Sequence, residues 1–215
     1  MDRRKAIKNM GLALGYTVAT PTLISIVQSC KKDAAIVWTP DFLTSDEGSV
    51  LTHLVDIILP KTDTPSASEV QVHIFIDRFA DQVMEKEQQD LLKMTMGKFM
   101  DKAMQDSGKK EIAELTPKEL EPVLSNALKI SKEDEANNVR AINTYTEAVK
   151  AGNTATLDDN LSRFSFANSL RGLTIWGYKS SEFVGENVLP YLPVPGEYIG
   201  CGDLQELTGG KTWSL

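Results

Sequence analysis

"LTPKEL", residues 115–120, decides how the rest of this chain is read. Thr116 supplies a capping hydroxyl, Pro117 suits the first helical position, and Glu119 stands where its carboxylate can reach back to the cap's own N–H. Leu115 and Leu120 flank the box and can close a hydrophobic staple over it. The pattern predicts a helix from Pro117 through Leu120, Val123, Leu124, Ala127 and Leu128, with Pro122 as a place where it could kink.

Working outward, the same helical grammar recurs. In "TPDFLTSDEGSVLTHLVDIILP", Thr44 or Ser45 caps, Asp46 and Glu47 occupy the first turn, and Leu51, Leu54, Val55 and Ile58 repeat at helical spacing until Pro60. "KTDTPSASE" has the composition of a loop. "VQVHIFIDRFADQV" puts Val72, Phe75, Ile76, Phe79 and Val83 on one stripe, and "QQDLLKMTMGKFMDKAM" does so through Leu92, Met96, Phe99 and Ala103. "SKEDEANNVRAINTYTEAVKAG" predicts a polar helix with a thin stripe of Val139, Ile142 and Val149, closed by Gly152. "TLDDNLSRFSFANSLRGLTIWGY" is apolar on several sides, at Leu161, Phe164, Leu170 and Leu173, and is expected at the centre. Alternation at period two is nearly absent. The expected fold is therefore all-α: one domain of about six helices over residues 41–187, followed by an irregular Pro/Gly-rich strap over 188–215, where Pro190, Pro193 and Pro195 accompany five glycines.

The amino terminus reads as an address. Residues 1–29 begin with Arg3, Arg4, Lys5 and Lys8, then run without charge to Cys30, in the order of a signal peptide. The competing reading, a permanent membrane helix, is weakened by the glycines, threonines and Pro21 in the run. Arg3 and Arg4 resemble the twin-arginine signal of proteins exported already folded. "VQSC" resembles a lipoprotein cleavage box, so Cys30 is the expected lipidation site and 30–40 a tether. The expected location is the periplasmic face of a membrane, or a lipoprotein anchorage to one. If Cys30 is acylated, Cys201 is left without a partner in the chain: a free or buried thiol, or a link to another chain.

The chain carries a formal −7, and the leader a local +3, which leaves the body at −10. Such a body disfavours nucleic acid. His53 and His73 are the only histidines, each on its own helix, so neither metal-ligand spacing nor a base for a serine or cysteine nucleophile is evident. Asp63, Asp77 and Asp81 show no arrangement for acid–base work. No dinucleotide fingerprint, phosphate loop or haem attachment motif occurs, so no cofactor is expected in this chain.

Two stretches carry a family resemblance. "FLTSDEGSVLTHLVDIILPKTDTPSASEVQVHIFID" (42–77) and "LRGLTIWGYKSSEFVGENVLPYLPVPGEYIGCGDL" (170–204) resemble the gluconate 2-dehydrogenase subunit 3 family. The second holds the "G-Y-x-S" turn and the closing "P-G-x-Y-x-G-C". The resemblance implies a small, non-catalytic subunit of a membrane-associated dehydrogenase complex. Its large partner would be an FAD-containing flavoprotein of the glucose–methanol–choline type acting on a sugar, sugar acid or alcohol, with a cytochrome c subunit carrying haem in some complexes. The small subunit would supply the export signal for the folded flavoprotein. "EFVGENV" and the lipoprotein-like cysteine depart from the family's usual pattern. The alternative is a stand-alone helical lipoprotein that binds some other ligand.

Eight of the fifteen aromatic residues lie after residue 160, which points to that region as the contact surface. Tyr178, Tyr191 and Tyr198 suit a half-wet interface. Trp176 either caps the core or joins that interface, and Cys201 at the strap's end is the candidate covalent link.

Overall fold

The computed structural model describes residues 38–191, 196, 199 and 201–214. Residues 39–215 form one unit, and residues 1–38 group separately. Arg3, Arg4, Cys30 and Tyr198 lie outside the described residues.

Every element among the described residues is helical. Six long helices run in order: α1 Ser45–Ile58, α2 Val72–Gln82, α3 Lys86–Ser107, α4 Pro117–Leu128, α5 Lys132–Lys150 and α6 Asp159–Lys179. A single 3-10 turn, Ile112–Glu114, precedes α4. Two short helices follow, α7 Glu182–Asn187 and α8 Leu204–Thr208. The capping box at Thr116 forms as its sequence dictates: Thr116 N–H donates to Glu119 at 2.8 Å, and Leu115 and Leu120 are buried on either side. Thr44 and Glu47 make a second reciprocal box at the start of α1.

α6 is the axis of the bundle and packs against each of the other five long helices. Its buried Phe166, Ala167 and Leu170 join Leu51, Leu54 and Val55 of α1, Met96, Phe99 and Met100 of α3, and Leu120, Val123 and Leu124 of α4 in one core. Phe99 and Phe166 meet with ring centroids 5.1 Å apart. Burying a large aliphatic or aromatic side chain stabilises by about 1.5–3 kcal/mol, so this cluster supplies the main driving force for the fold.

Two details depart from the sequence expectation. On α2 the buried face is Val72, Ile76 and Ala80 with Asp77; Phe75 and Phe79 are half-buried at its edge and Val83 is 62% exposed. The apolar stripe of α2 is therefore wider than the face that the core covers. In the region expected to be an extended strap, α8 forms because Asp203 accepts from the N–H groups of Gln205 and Glu206 while Gly209, at φ +63°, closes the other end. Caps alone define so short a helix.

The buried aspartate answers a question of backbone accounting. Asp77 is fully buried, and its carboxylate accepts from three consecutive N–H groups just ahead of α1: Asp41 at 2.7 Å, Phe42 at 3.2 Å and Leu43 at 2.9 Å. Buried N–H groups without partners are costly, so this one side chain satisfies the segment's entry into the bundle.

Candidate docking surface

The site is built where α2 meets the carboxy-terminal end of α6, and Gly177 is what allows them to meet. A Cβ at Gly177 would lie 2.6 Å from Phe75 Cδ1 and 3.3 Å from Val72 Cγ1. Only a residue without a side chain lets the two helices approach this closely. The approach leaves the neighbouring Trp176 against the outer edge of α2, where its ring meets Phe75 at 5.0 Å and Phe79 at 5.2 Å, both nearly perpendicular. Phe75 and Phe79 are themselves 5.9 Å apart. Edge-to-face pairs of this kind are each worth about 0.5–1.5 kcal/mol beyond the area they bury. The three rings thus hold one another in place while Trp176 remains 45% exposed.

Next to this triad runs a groove of about 430 Å³ between Ile74, Phe75, Phe79 and Val83 on one side and Gly177 and Ser180 on the other. A second hollow of about 420 Å³ continues it past Pro65, Val70, Gln71, Ser181 and Phe183. Val70, Gln71 and Ser181 line both, so the two make one continuous depression. Gln71 stands at the junction in the left-handed region, with φ +62°, and is the sole non-glycine residue there among those described.

The loop under this depression is fixed from two directions. Asp56 accepts from the N–H and hydroxyl of Ser68, at 2.8 and 2.6 Å. Tyr178 packs against the core and donates its hydroxyl to the carbonyl of Pro65 at 2.8 Å. The "G-Y-x-S" turn is thereby explained residue by residue: Gly177 admits the rings of α2, Tyr178 ties down the loop, and Ser180 donates to the carbonyl of Trp176 at 2.8 Å to close the helix end.

The structure thus distributes the expected contact residues unevenly. Trp176 is on the exposed triad; Tyr178 is half-buried with its hydroxyl committed inside the chain; Tyr191 is 50% exposed, and the Cys201 thiol is exposed and unbridged. Phe79, Val83 and Phe183 belong to the surface as well, while Phe75 is half-buried, packing against the core and lining the groove at once. Phe79 and Val83 looked like core residues because periodicity reports an apolar stripe without reporting what covers it. Eight of the twelve strongly exposed large apolar side chains among the described residues lie after residue 174, including Ile175, Phe183, Leu204 and Trp213. That concentration lies along the sequence, at the end of α6 and in the segments that follow it.

The titratable groups have other duties. Burial pushes His73 below the ordinary histidine range, and the nearby Asp56 offsets this only in part. Burial also opposes ionisation of Glu47, but its bonds to Lys93 and Thr44 outweigh that and hold its carboxyl below the usual range. Among the described residues no group of three or more metal-ligating side chains comes together, and no helix is long and apolar enough to cross a membrane. What the depression and its rim offer chemically is mixed contact area: rigid aromatic rings and aliphatic walls, the hydroxyls of Ser180 and Ser181, the amides of Gln71 and Gln82, and charges at Arg78, Glu69 and Glu182.

The described residues thus form an all-helical bundle with a partly apolar depression beside an exposed aromatic triad. The chain belongs to the gluconate 2-dehydrogenase subunit 3 family, whose model matches residues 45–196, from the start of α1 to beyond α7. The family is named for one subunit of a dehydrogenase complex. No curated protein and no solved structure gives a significant match.

Proposed function

We propose that this chain is the non-catalytic small subunit of an exported dehydrogenase complex, and that it holds an FAD-containing flavoprotein of the glucose–methanol–choline type through the surface around Trp176. The observation that carries this reading is the concentration of exposed apolar side chains after residue 174 on a body of this family. Aromatic anchors in a desolvated centre dominate binding energy at protein interfaces, and Trp176, prepositioned by Phe75 and Phe79, has the form of such an anchor. A preset side chain loses little rotamer freedom on docking.

The leader supports a division of labour. A flavoprotein that has already folded around its cofactor cannot be threaded unfolded, so a bound partner bearing Arg3 and Arg4 would bring it through a folded-state export route. Acylated Cys30 would then retain the complex at the membrane surface. In an oxidising compartment the exposed Cys201 thiol is available for a mixed disulfide with the partner.

Co-expression with any flavoprotein that a neighbouring reading frame encodes tests the reading. Flavin absorbance should co-elute with this chain, and Trp176→Ala should weaken the complex about 30-fold or more, the range of an interface hot spot. Replacing Arg3 and Arg4 by Lys should leave both proteins in the cytoplasm, and non-reducing electrophoresis should reveal any Cys201 link. Failure to associate with a flavoprotein at micromolar concentration refutes the proposal.

A further inference from the structure

Helix α5 stands apart from its neighbours: none of its nineteen residues is buried, whereas each of the other five long helices buries at least three. Its apolar stripe is thin, and Val139 is 37% exposed. Beneath it lies an open cleft of about 1120 Å³, walled by Asn137, Asn138 and Ala141 of α5 and floored by Val123, Leu161 and Phe164. Phe164 is buried, yet it lies outside the main core cluster.

Half-buried Ile142, Tyr145 and Val149 give α5 a shallow seat on the body, and two ion pairs, one toward each end, add to it. Glu135 meets Arg171 of α6 at 2.7 Å, and Lys150 meets Glu85, just ahead of α3, at 3.0 Å. All four side chains are more than a third exposed, so solvent screens both pairs. By contrast, α5 is well provided for as a helix in its own right. Ser131 accepts from the N–H of Asp134, three acidic residues fill the first turn, Lys150 sits in the last, and Gly152 follows at φ +76°.

We propose that α5 is a hinged cover: it swings away from the bundle as a unit about the segments 129–131 and 151–158, opening the cleft while the core of α1 to α4 and α6 stays intact. Local openings of this kind draw on parts of a fold with little buried apolar surface and solvent-exposed bonds. The opening is independent of the surface around Trp176, because α5 contributes nothing to it. Once detached, a lone helix of this length is marginal in water, so its amides exchange with solvent.

Native-state hydrogen exchange on the full chain, read peptide by peptide, tests this. The α5 amides should exchange at least about 100-fold faster than those of α6, as expected of a sub-global opening. In the double variant Glu135→Gln, Lys150→Gln they should gain about fivefold more, the combined effect of two exposed ion pairs, with α6 unchanged. Neither residue is buried, so the variant keeps the core, and the α6 amides report this directly. Trypsin under native conditions should cut first within α5, after Arg140. Equal protection of α5 and α6, or parallel acceleration of both in the variant, overturns the proposal.

Discussion

Replacing Asp77 gives the sharpest test of how the bundle is closed. Its carboxylate is fully buried and accepts from the N–H groups of Asp41, Phe42 and Leu43, which come from a segment 34–36 residues earlier. In Asp77→Ala all three donors lose their acceptor. The Leu43 bond is buried, and those of Asp41 and Phe42 are partly so. An orphaned buried donor costs about 1–3 kcal/mol, and water can relieve the outer ones in part, so the variant should lose about 3–5 kcal/mol. Asp77→Asn separates charge from geometry. Its amide oxygen can take the Oδ1 position and keep Phe42 and Leu43, while its NH2 faces the N–H of Asp41, donor against donor. The loss should then be about 1–2 kcal/mol, because the Asp41 N–H can turn to water. Urea denaturation followed by far-ultraviolet circular dichroism measures both. With a slope of about 2 kcal/mol per molar, the alanine variant's midpoint should fall by about 2 M and the asparagine variant's by less than 1 M. An alanine variant within 0.5 kcal/mol of the parent would refute the reasoning, since it would mean that those N–H groups find water or other acceptors at no cost.

Gly177→Ala should destabilise by about 1–3 kcal/mol, because the new methyl must displace the Phe75 ring from 2.6 Å, and tryptophan emission should shift as the triad opens. Tyr178→Phe removes the single bond to the Pro65 carbonyl, so it should cost about 1 kcal/mol in the same urea assay and raise exchange in the 61–69 loop. Of the groups with lowered folded values, the two partly buried ones, His73 and Glu47, contribute most to the response to acid. The unfolded chain binds a proton at His73 before the folded one does, so stability is full above the ordinary histidine value of 6.5 and falls as the pH drops below it; Glu47 adds a second loss below its ordinary 4.5. Urea midpoints between pH 7.5 and 5 should therefore decline, and His73→Gln should flatten that part of the profile.

The helices were legible where their causes are local. A cap, a proline at the first position and a carboxylate three residues on lie within six residues, so the start of α4 could be read directly, and the apolar spacing of α6 announced its central place. The surface was legible only in part. Trp176 and Tyr191 stood out by residue type, but the assignment of Phe75, Phe79 and Val83 to core or surface depends on which face of α2 another helix covers. Asp77 was opaque for the same reason: one aspartate among several acquires its role from backbone donors more than thirty residues away. Tyr178 looked like an interface residue because a phenol suits a wet boundary, and its hydroxyl turned out to be engaged by a carbonyl 113 residues distant. The short helices α7 and α8 escaped notice because five or six residues are too few to display an apolar period, and a few end residues determine their form.

The bond from Tyr178 to Pro65, with the seating of Gly177 against Phe75, joins the two stretches that carry the family's features, 42–77 and 170–204, into a single object. Neither stretch can present the depression alone. During synthesis α2 leaves the ribosome roughly a hundred residues before the end of α6 that completes it, so the aromatic face has no existence on a nascent or truncated chain. A partner that recognises this face is in effect reading a certificate of completion: it can engage only molecules whose translation has run past the last long helix and whose bundle has closed.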